Sequence, residues 1–160
     1  MSASANQLTS GSLALNSILK SFSSTGMPLW AIREGAIFPI HDINTVILGP
    51  SGGHAATTYV HTQLASVGAS GATSLSVDSI TGISNADTIG IELDSGNMHW
   101  TTVNGVPSGT TVVLTAGLAS AAAIDSHIYT YTSKTERPLK IIQAQRFDYT
   151  NNTEVPINII

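Results

Sequence analysis

One short segment of the chain has residue types and spacing that could support nucleophilic catalysis. Gly49-Pro50-Ser51-Gly52-Gly53 matches the G-x-S-x-G pattern of a serine nucleophile, and it follows the β-branched run Thr45–Leu48. A nucleophilic serine needs a histidine to take its proton and a carboxylate to orient that histidine. The nearest candidates are His41, Asp42 and His54, but nothing in the sequence brings them together. The sequence therefore favours a Gly- and Pro-rich loop over a catalytic elbow, and we expect no catalytic residue and no enzymatic activity.

The five histidines raise the possibility of a metal site. His54 and His61 are seven positions apart and could share one helix face, but ligands on one helix are normally three to five residues apart. His99 lies on a predicted strand and His127 begins another. The chain has no cysteine, so a thiolate site or a disulfide is impossible. We expect scattered, surface or half-buried histidines, with no metal and no cofactor.

Acidic and glycine motifs do not indicate a ligand either. Asp87, Glu92 and Asp94 lack the spacing of a calcium-binding EF-hand loop, and turn chemistry explains Asp94-Ser95-Gly96-Asn97. Neither a phosphate-binding loop nor a dinucleotide fingerprint is present. Trp30 and Trp100 are interpreted as core or interface anchors.

Composition excludes several classes of protein. Charged residues make up 10% of the 160 residues, against about 25% in an average protein, and Ser and Thr together number 39. Six basic residues against ten acidic ones give a net charge of −4, which excludes a domain that binds nucleic acid through a basic patch. No apolar run approaches the length of a membrane span, and the first seven residues do not resemble a secretory signal.

The charges are unevenly distributed along the chain. Residues 34–133 contain no Lys or Arg and carry a net charge of −7, whereas residues 1–33 carry +2 and residues 134–160 carry +1. Such a shift in composition indicates a middle module that is distinct from its flanks.

The elements that would position these residues are one helix and many strands. An apolar face at helical spacing predicts an N-terminal helix, which Gly26 and Pro28 would end; its residues are Leu8, Leu15, Ile18, Leu19 and Phe22. Thr57–Val67 is compatible with either strand or helix, and Ala119–Ala123 with a loop. Alternating or β-branched runs predict strands at Trp30–Glu34, Ala36–Ile40, Thr45–Leu48, Ser74–Val77, Thr88–Leu93, Met98–Val103, Thr110–Thr115, His127–Thr132, Leu139–Arg146 and Val155–Ile160.

These elements predict an α+β fold that is mainly β, with turn signals spaced as in a small antiparallel barrel or sandwich. The chain ends on the apolar segment Ile157–Ile160. We expect that segment either to pair within an assembly or to continue into a longer chain.

The two flanks carry a family resemblance. The helical segment Leu13–Phe22, then Gly26, Leu29–Ile32, Glu34 and Phe38–Pro39, then Thr45–Gly53, and finally Arg137–Ile141 and Glu154–Ile157, resemble the head-to-tail adaptor proteins of short-tailed bacteriophages (tail tubular protein A-like). On this resemblance, residues 1–54 with 134–160 would form the adaptor core, and residues 55–133 would be an inserted antiparallel β domain.

What the resemblance implies is a structural protein of the virion neck, assembled in the host cytoplasm. Family members form a ring, typically of twelve copies, between the portal protein and the tail nozzle, and DNA passes through the lumen without specific binding. A conduit should not bind phosphates tightly, and a hundred residues without a basic group would suit either a lumen or an outer wall. No membrane partner is implied.

The resemblance also suggests an assembly interface. A helix face would pack against the same chain or a neighbouring one, Trp30 would anchor the junction, and two basic residues would face acidic partners or solvent; the full set is Leu15, Ile18, Leu19, Phe22, Trp30, Arg137 and Lys140.

Two other functions stay open at this stage. One is a different tail, fibre or decoration protein whose β module binds a receptor or sugar through Trp100, Tyr129 and Tyr131. The other is a serine hydrolase built around Ser51.

Overall fold

The structure is a computed structural model that describes residues 13–18, 20–21, 32–38, 45–138, 140–148 and 151–157. The chain divides into two compact units, Met1–Glu34 and Gly35–Ile160. In the first unit, residues 13–18 and 20–21 are helical, while Leu8 and Phe22, at the two ends of the predicted apolar face, lie outside the described residues. Within the described residues no helix has the length and hydropathy that a membrane crossing requires.

The second unit contains ten strands in its described residues, and every pairing between them is antiparallel. In chain order the strands are β1 Ala36–Ile37, β2 Ala55–Ala56, β3 Val60–Gln63, β4 Ser74–Ser76, β5 Thr88–Glu92, β6 Met98–Thr102, β7 Thr111–Val113, β8 His127–Tyr131, β9 Ala144–Asp148 and β10 Thr153–Ile157. The prediction of a mainly β protein is therefore confirmed.

The central element is a four-stranded sheet in the order β3-β8-β5-β6. β5 confirms the alternation predicted for Thr88–Leu93, because Ile89 and Ile91 are fully buried in the core. The predicted turn joins β5 to β6: the Leu93 N–H donates to the Asn97 carbonyl at 2.9 Å, and Gly96 adopts a φ of 78°, which glycine tolerates without strain. The local sequence pattern was sufficient to predict this hairpin.

A second, two-stranded sheet, β4-β7, shares the core of the first. Two isolated β-bridges connect the ends of strands from the two sheets. Leu64 after β3 is bridged to Val77 after β4, and Val103 after β6 is bridged to Leu114 after β7. The buried core consists of Leu64, Leu75, Val77, Ile83, Ile89, Ile91, Leu93, Val103, Val112, Leu114, Leu118, Ala122 and Ile128. Strand pairing among the described residues does not close a barrel, so the barrel or sandwich stays a prediction, as do the predicted domain boundaries.

The strand predicted at Thr45–Leu48 is wrong. These residues form no strand; instead the Gly53 N–H donates to the Ile47 carbonyl at 2.8 Å and the Gly52 N–H to the Gly49 carbonyl at 2.9 Å, which folds the chain back on itself. A β-branched run becomes a strand only with a partner, and β1 pairs with β2 instead. Similarly, residues 32–34 are not in a strand, and β1 is only two residues long.

The ambiguous segment Thr57–Val67 contains β3, so its helix-compatible half is not helical. Ala119–Ala123 is irregular as predicted, with Ala122 bridged to Gly68. The last predicted pair of strands forms the hairpin β9-β10, in which β9 begins later than expected, at Ala144.

Candidate functional site

One face of the four-stranded sheet carries aromatic and histidine side chains. Residues at alternate positions of a strand point to the same face. The strand register aligns four residues in a row across the sheet: His61 opposite Tyr129, Tyr129 opposite Gly90, and Gly90 opposite Trp100. Tyr131 and His127 flank Tyr129 on β8 and share its face. We call this surface, with Phe38, His54 and Tyr59 packed against it, the aromatic face.

Phe38, which follows β1, covers the centre of this face. Its ring is only 3% exposed and lies 5.1 Å from the Tyr129 ring and 5.7 Å from those of Trp100 and Tyr131, measured between centroids. The Phe38 N–H donates to the His54 carbonyl at 2.9 Å, which fixes the two covering residues relative to each other. The segments around residues 36–38 and 54–56 are thereby held on the sheet by aromatic packing.

His54 is held in place by two aromatic partners. Its ring stacks on the Trp100 indole with centroids 3.7 Å apart and 3° between the planes. Its Nδ1 lies 2.6 Å from the Tyr131 hydroxyl, which donates to Nδ1 when that nitrogen is unprotonated. Burial, and secondarily the charge of Lys134, lower the pKa of His54 to about 4. The imidazole is therefore neutral at pH 7.

The neighbouring charged and phenolic groups are consistent with a neutral His54. Burial raises the pKa of Tyr131, and a hydrogen bond with Thr88 opposes that shift. The Lys134 ammonium donates to the Gly52 carbonyl at 2.7 Å. A neutral tyrosine and a neutral histidine in contact form a structural hydrogen bond.

A pair of histidines lies at the edge of the same face. His61 Nε2 is 3.0 Å from His127 Nδ1, and both rings are half-buried. Burial, and then the neighbouring His127, lower the pKa of His61. His61 also packs against Tyr129, with ring centroids 5.1 Å apart. The pairing of β3 with β8 creates this contact between residues 66 positions apart, so sequence spacing could not reveal it.

The structure does not assemble the serine site. Ser51 is exposed. The residues before it, 45–50, form no strand, and Ala55–Ala56 after it form strand β2 rather than a helix. The strand–turn–helix of a nucleophile elbow is therefore absent from residues 45–57. His54 bonds Tyr131 instead. His41 and Asp42 lie outside the described residues.

Of the residues weighed as metal ligands, His61 and His127 are a pair that the structure does bring together. The idea that His54 and His61 share a helix face is wrong, because His61 is in β3 and His54 precedes β2. Among the described residues no group of three or more His, Cys, Asp or Glu could hold a metal ion. A cavity beside Tyr59 and Tyr131 has a volume of about 90 Å³, well below the roughly 300–1,000 Å³ of small-molecule sites.

The three candidate sugar-binding aromatics are engaged with one another. Trp100, Tyr129 and Tyr131 lie beneath Phe38, and the buried Trp100 Nε1 has no hydrogen-bond partner within the described part of the chain. Trp100 is thus a packing anchor, as its sequence context suggested.

The predicted assembly residues that are described are exposed. Leu15 and Ile18 on the helix are 56% and 50% exposed, and Arg137 and Lys140 also face solvent. The remaining three, Leu19, Phe22 and Trp30, lie outside the described residues.

In comparisons with protein families, curated proteins and solved structures, nothing matches this chain. Its function is therefore inferred from its surface chemistry together with the resemblance of its flanks.

Proposed function

We propose that this protein is a virion structural protein of a short-tailed bacteriophage, a head-to-tail adaptor whose copies form a ring, of twelve by analogy, between portal and tail nozzle. The observation that carries this proposal is that the helix and the hairpin expose large apolar side chains outside the buried core of residues 55–133, which we call the β module. Apolar groups that cluster on a surface mark sites of association.

The helical residues contribute one such surface. Leu13, Leu15 and Ile18 are all at least half exposed. Leu15 and Ile18 are three residues apart, so they lie on one side of a helix. A short helix in water gains little stability from propensity alone and depends on packing of its apolar side. A neighbouring subunit would supply that packing in a ring.

The hairpin β9-β10 contributes the second surface. Its two strands make their principal contacts with each other, and Val155 and Ile157, which share one face of β10, are 43% and 52% exposed. An isolated two-stranded hairpin is marginally stable in water, and three strands or a packed face are needed to stabilise it. Docking of this hairpin on another chain would supply a third strand or a packed face.

The charge distribution is compatible with a DNA conduit. Between Glu34 and Ser133 no Lys or Arg is present. Each basic contact to a phosphate would add affinity and slow the passage of DNA, so a lumen or outer wall without basic groups is suitable. The adaptor would guide DNA without binding it specifically.

We further propose that residues 55–133 form an inserted antiparallel domain of barrel type. The support is topological: the bridge Leu64–Val77 joins the β4 side to β3, and the bridge Val103–Leu114 joins the β7 side to β6. The two-stranded sheet is thereby linked near both edges of the four-stranded sheet.

The proposal is tested by co-expression with the portal protein encoded in the same genome, followed by size-exclusion chromatography. We expect the chain to elute with the portal. Val155→Asp, which places a charge on the exposed hairpin, should abolish co-elution, whereas Val106→Asp, at an 85% exposed site in the β module, should retain it. Elution of the wild-type chain apart from the portal would contradict an adaptor role.

A further inference from the structure

The pair His61 and His127 on the aromatic face has the geometry of a small chelating site. His61 Nε2 and His127 Nδ1 lie 3.0 Å apart, with 39° between the ring planes. The two side chains come from adjacent strands: His61 is opposite Tyr129, and Gln63 is opposite His127. The four-residue ladder of β3 with β8 therefore fixes the spacing of the two imidazoles.

We propose that His61 and His127 bind one divalent transition-metal ion of the Zn²⁺, Ni²⁺ or Cu²⁺ class. Such ions take imidazole nitrogens at about 2.0–2.1 Å, so two ligands at 90–109° to each other lie about 2.9–3.4 Å apart. The observed separation of 3.0 Å falls in this range. Metal binding would require the rings to turn so that both lone pairs converge on the ion.

The chemistry of the pair selects the class of ion. The present hydrogen bond places one proton between the two facing nitrogens. On metal binding, the donor ring would carry that proton on its other nitrogen, by tautomer exchange through water, so that both facing nitrogens offer a lone pair to the cation. Imidazole suits zinc, copper and nickel, whereas magnesium and calcium prefer oxygen ligands. Residues 34–133 hold no Lys or Arg, so no basic side chain within that stretch repels a cation.

The pair supplies two of the ligands that the ion needs. Both rings are half-buried, so the nitrogens lie near the surface. No third His, Cys, Asp or Glu of the described residues joins them in a group of three, so the remaining ligands would come from outside that set. Two protein ligands predict weaker binding than a four-ligand structural zinc site. A bound ion would cross-link β3 to β8 and stabilise the native state by mass action.

The test is a titration of the full chain with ZnCl₂, NiCl₂ and CuCl₂, with MgCl₂ as the control ion. We expect a rise in Tm with the three transition metals and none with magnesium. His61→Asn and His127→Asn should each abolish the rise, and His99→Gln, which removes a histidine of β6 outside the pair, should preserve it. Absence of a rise in the wild-type chain, or its persistence in both pair variants, would overturn the proposal.

A second measurement keeps the proposal testable if a variant does not fold. Substoichiometric CuCl₂ added to ¹⁵N-labelled wild-type chain should broaden the amide signals around His61 and His127 before all others. Broadening centred on another histidine would overturn the proposal. This inference does not depend on the adaptor function.

Discussion

The indole of Trp100 lies directly over Gly90, the residue opposite it in the neighbouring strand. A Cβ placed on Gly90 would come within 2.5 Å of Trp100 Cζ3, a distance that side chains do not tolerate. The missing side chain thus makes room for the tryptophan to lie flat, which in turn lets His54 stack on the opposite surface of the indole at 3.7 Å. One glycine permits the whole arrangement of the aromatic face.

Gly90→Ala should therefore destabilise the protein. The added methyl group forces the large indole or the backbone to move, and overpacking of this kind costs about 1–3 kcal/mol. Denaturant unfolding, followed by Trp fluorescence, measures the loss. Gly35→Ala is the matched control, because a Cβ there meets its nearest neighbour at an ordinary 3.5 Å. Equal effects of the two substitutions would show that the indole does not restrict position 90.

The free energy of unfolding should depend on pH in a way that reflects the lowered pKa of the half-buried His54. Its pKa is about 4 in the folded chain against 6.5 for an ordinary histidine. Between these values the unfolded state binds a proton that the folded state does not, so stability falls as the pH drops from about 6.5 to about 4. This contribution is constant above and below that window.

His54→Phe isolates the effect, since phenylalanine keeps a flat ring on Trp100 but does not titrate. Among the described residues, the titratable groups that face position 54 are Lys134 and Tyr131; both are retained in this variant, and only the Tyr131 hydrogen bond to Nδ1 is lost. Urea unfolding at several pH values from 4 to 7 should show a shallower loss of stability in His54→Phe than in the wild-type chain. Identical slopes would mean that His54 titrates normally in the folded state. The slope that remains in the variant would include His61, whose pKa is lowered as well.

Charged substitutions at the exposed apolar residues should impair association of the chain without impairing its folding. Leu15→Asp and Val155→Asp place charges on the helix and on the hairpin, outside the β-module core. We expect the Tm of each variant to stay within a few degrees of the wild-type value, because exposed positions contribute within about 0.5 kcal/mol. Sedimentation at increasing concentration should show that association is lost, whereas Val106→Asp should associate like the wild type. Unchanged association in both variants would remove these surfaces from the interface.

The sequence predicted those parts of the fold in which the determining contacts are local. The alternation of Thr88–Leu93 and the turn at Asp94–Asn97 defined the β5-β6 hairpin because each strand is the immediate neighbour of the other. Thr45–Leu48 has strand-forming residues, but no described strand pairs with it, and the Ile47 carbonyl accepts from the Gly53 N–H of the following turn instead. The existence of a partner strand is a tertiary property that residue types do not reveal.

The candidate site was less predictable for the same reason. Phe38 and His54 reach Trp100 and Tyr131 across long stretches of chain, and His61 meets His127 only through the register of β3 with β8. A one-residue change of that register would turn every side chain to the other face. The sequence therefore identified Trp100 as an anchor but could not name the residues packed on it.

The most direct test of the adaptor proposal is imaging of the portal complex by electron microscopy. We expect an additional ring of this chain beneath the portal, coaxial with its channel, with the helix and the β9-β10 hairpin buried between neighbouring subunits. A portal that carries no added ring when the chain is present in excess, or a ring in which Leu15 and Val155 stay exposed to solvent, would contradict it.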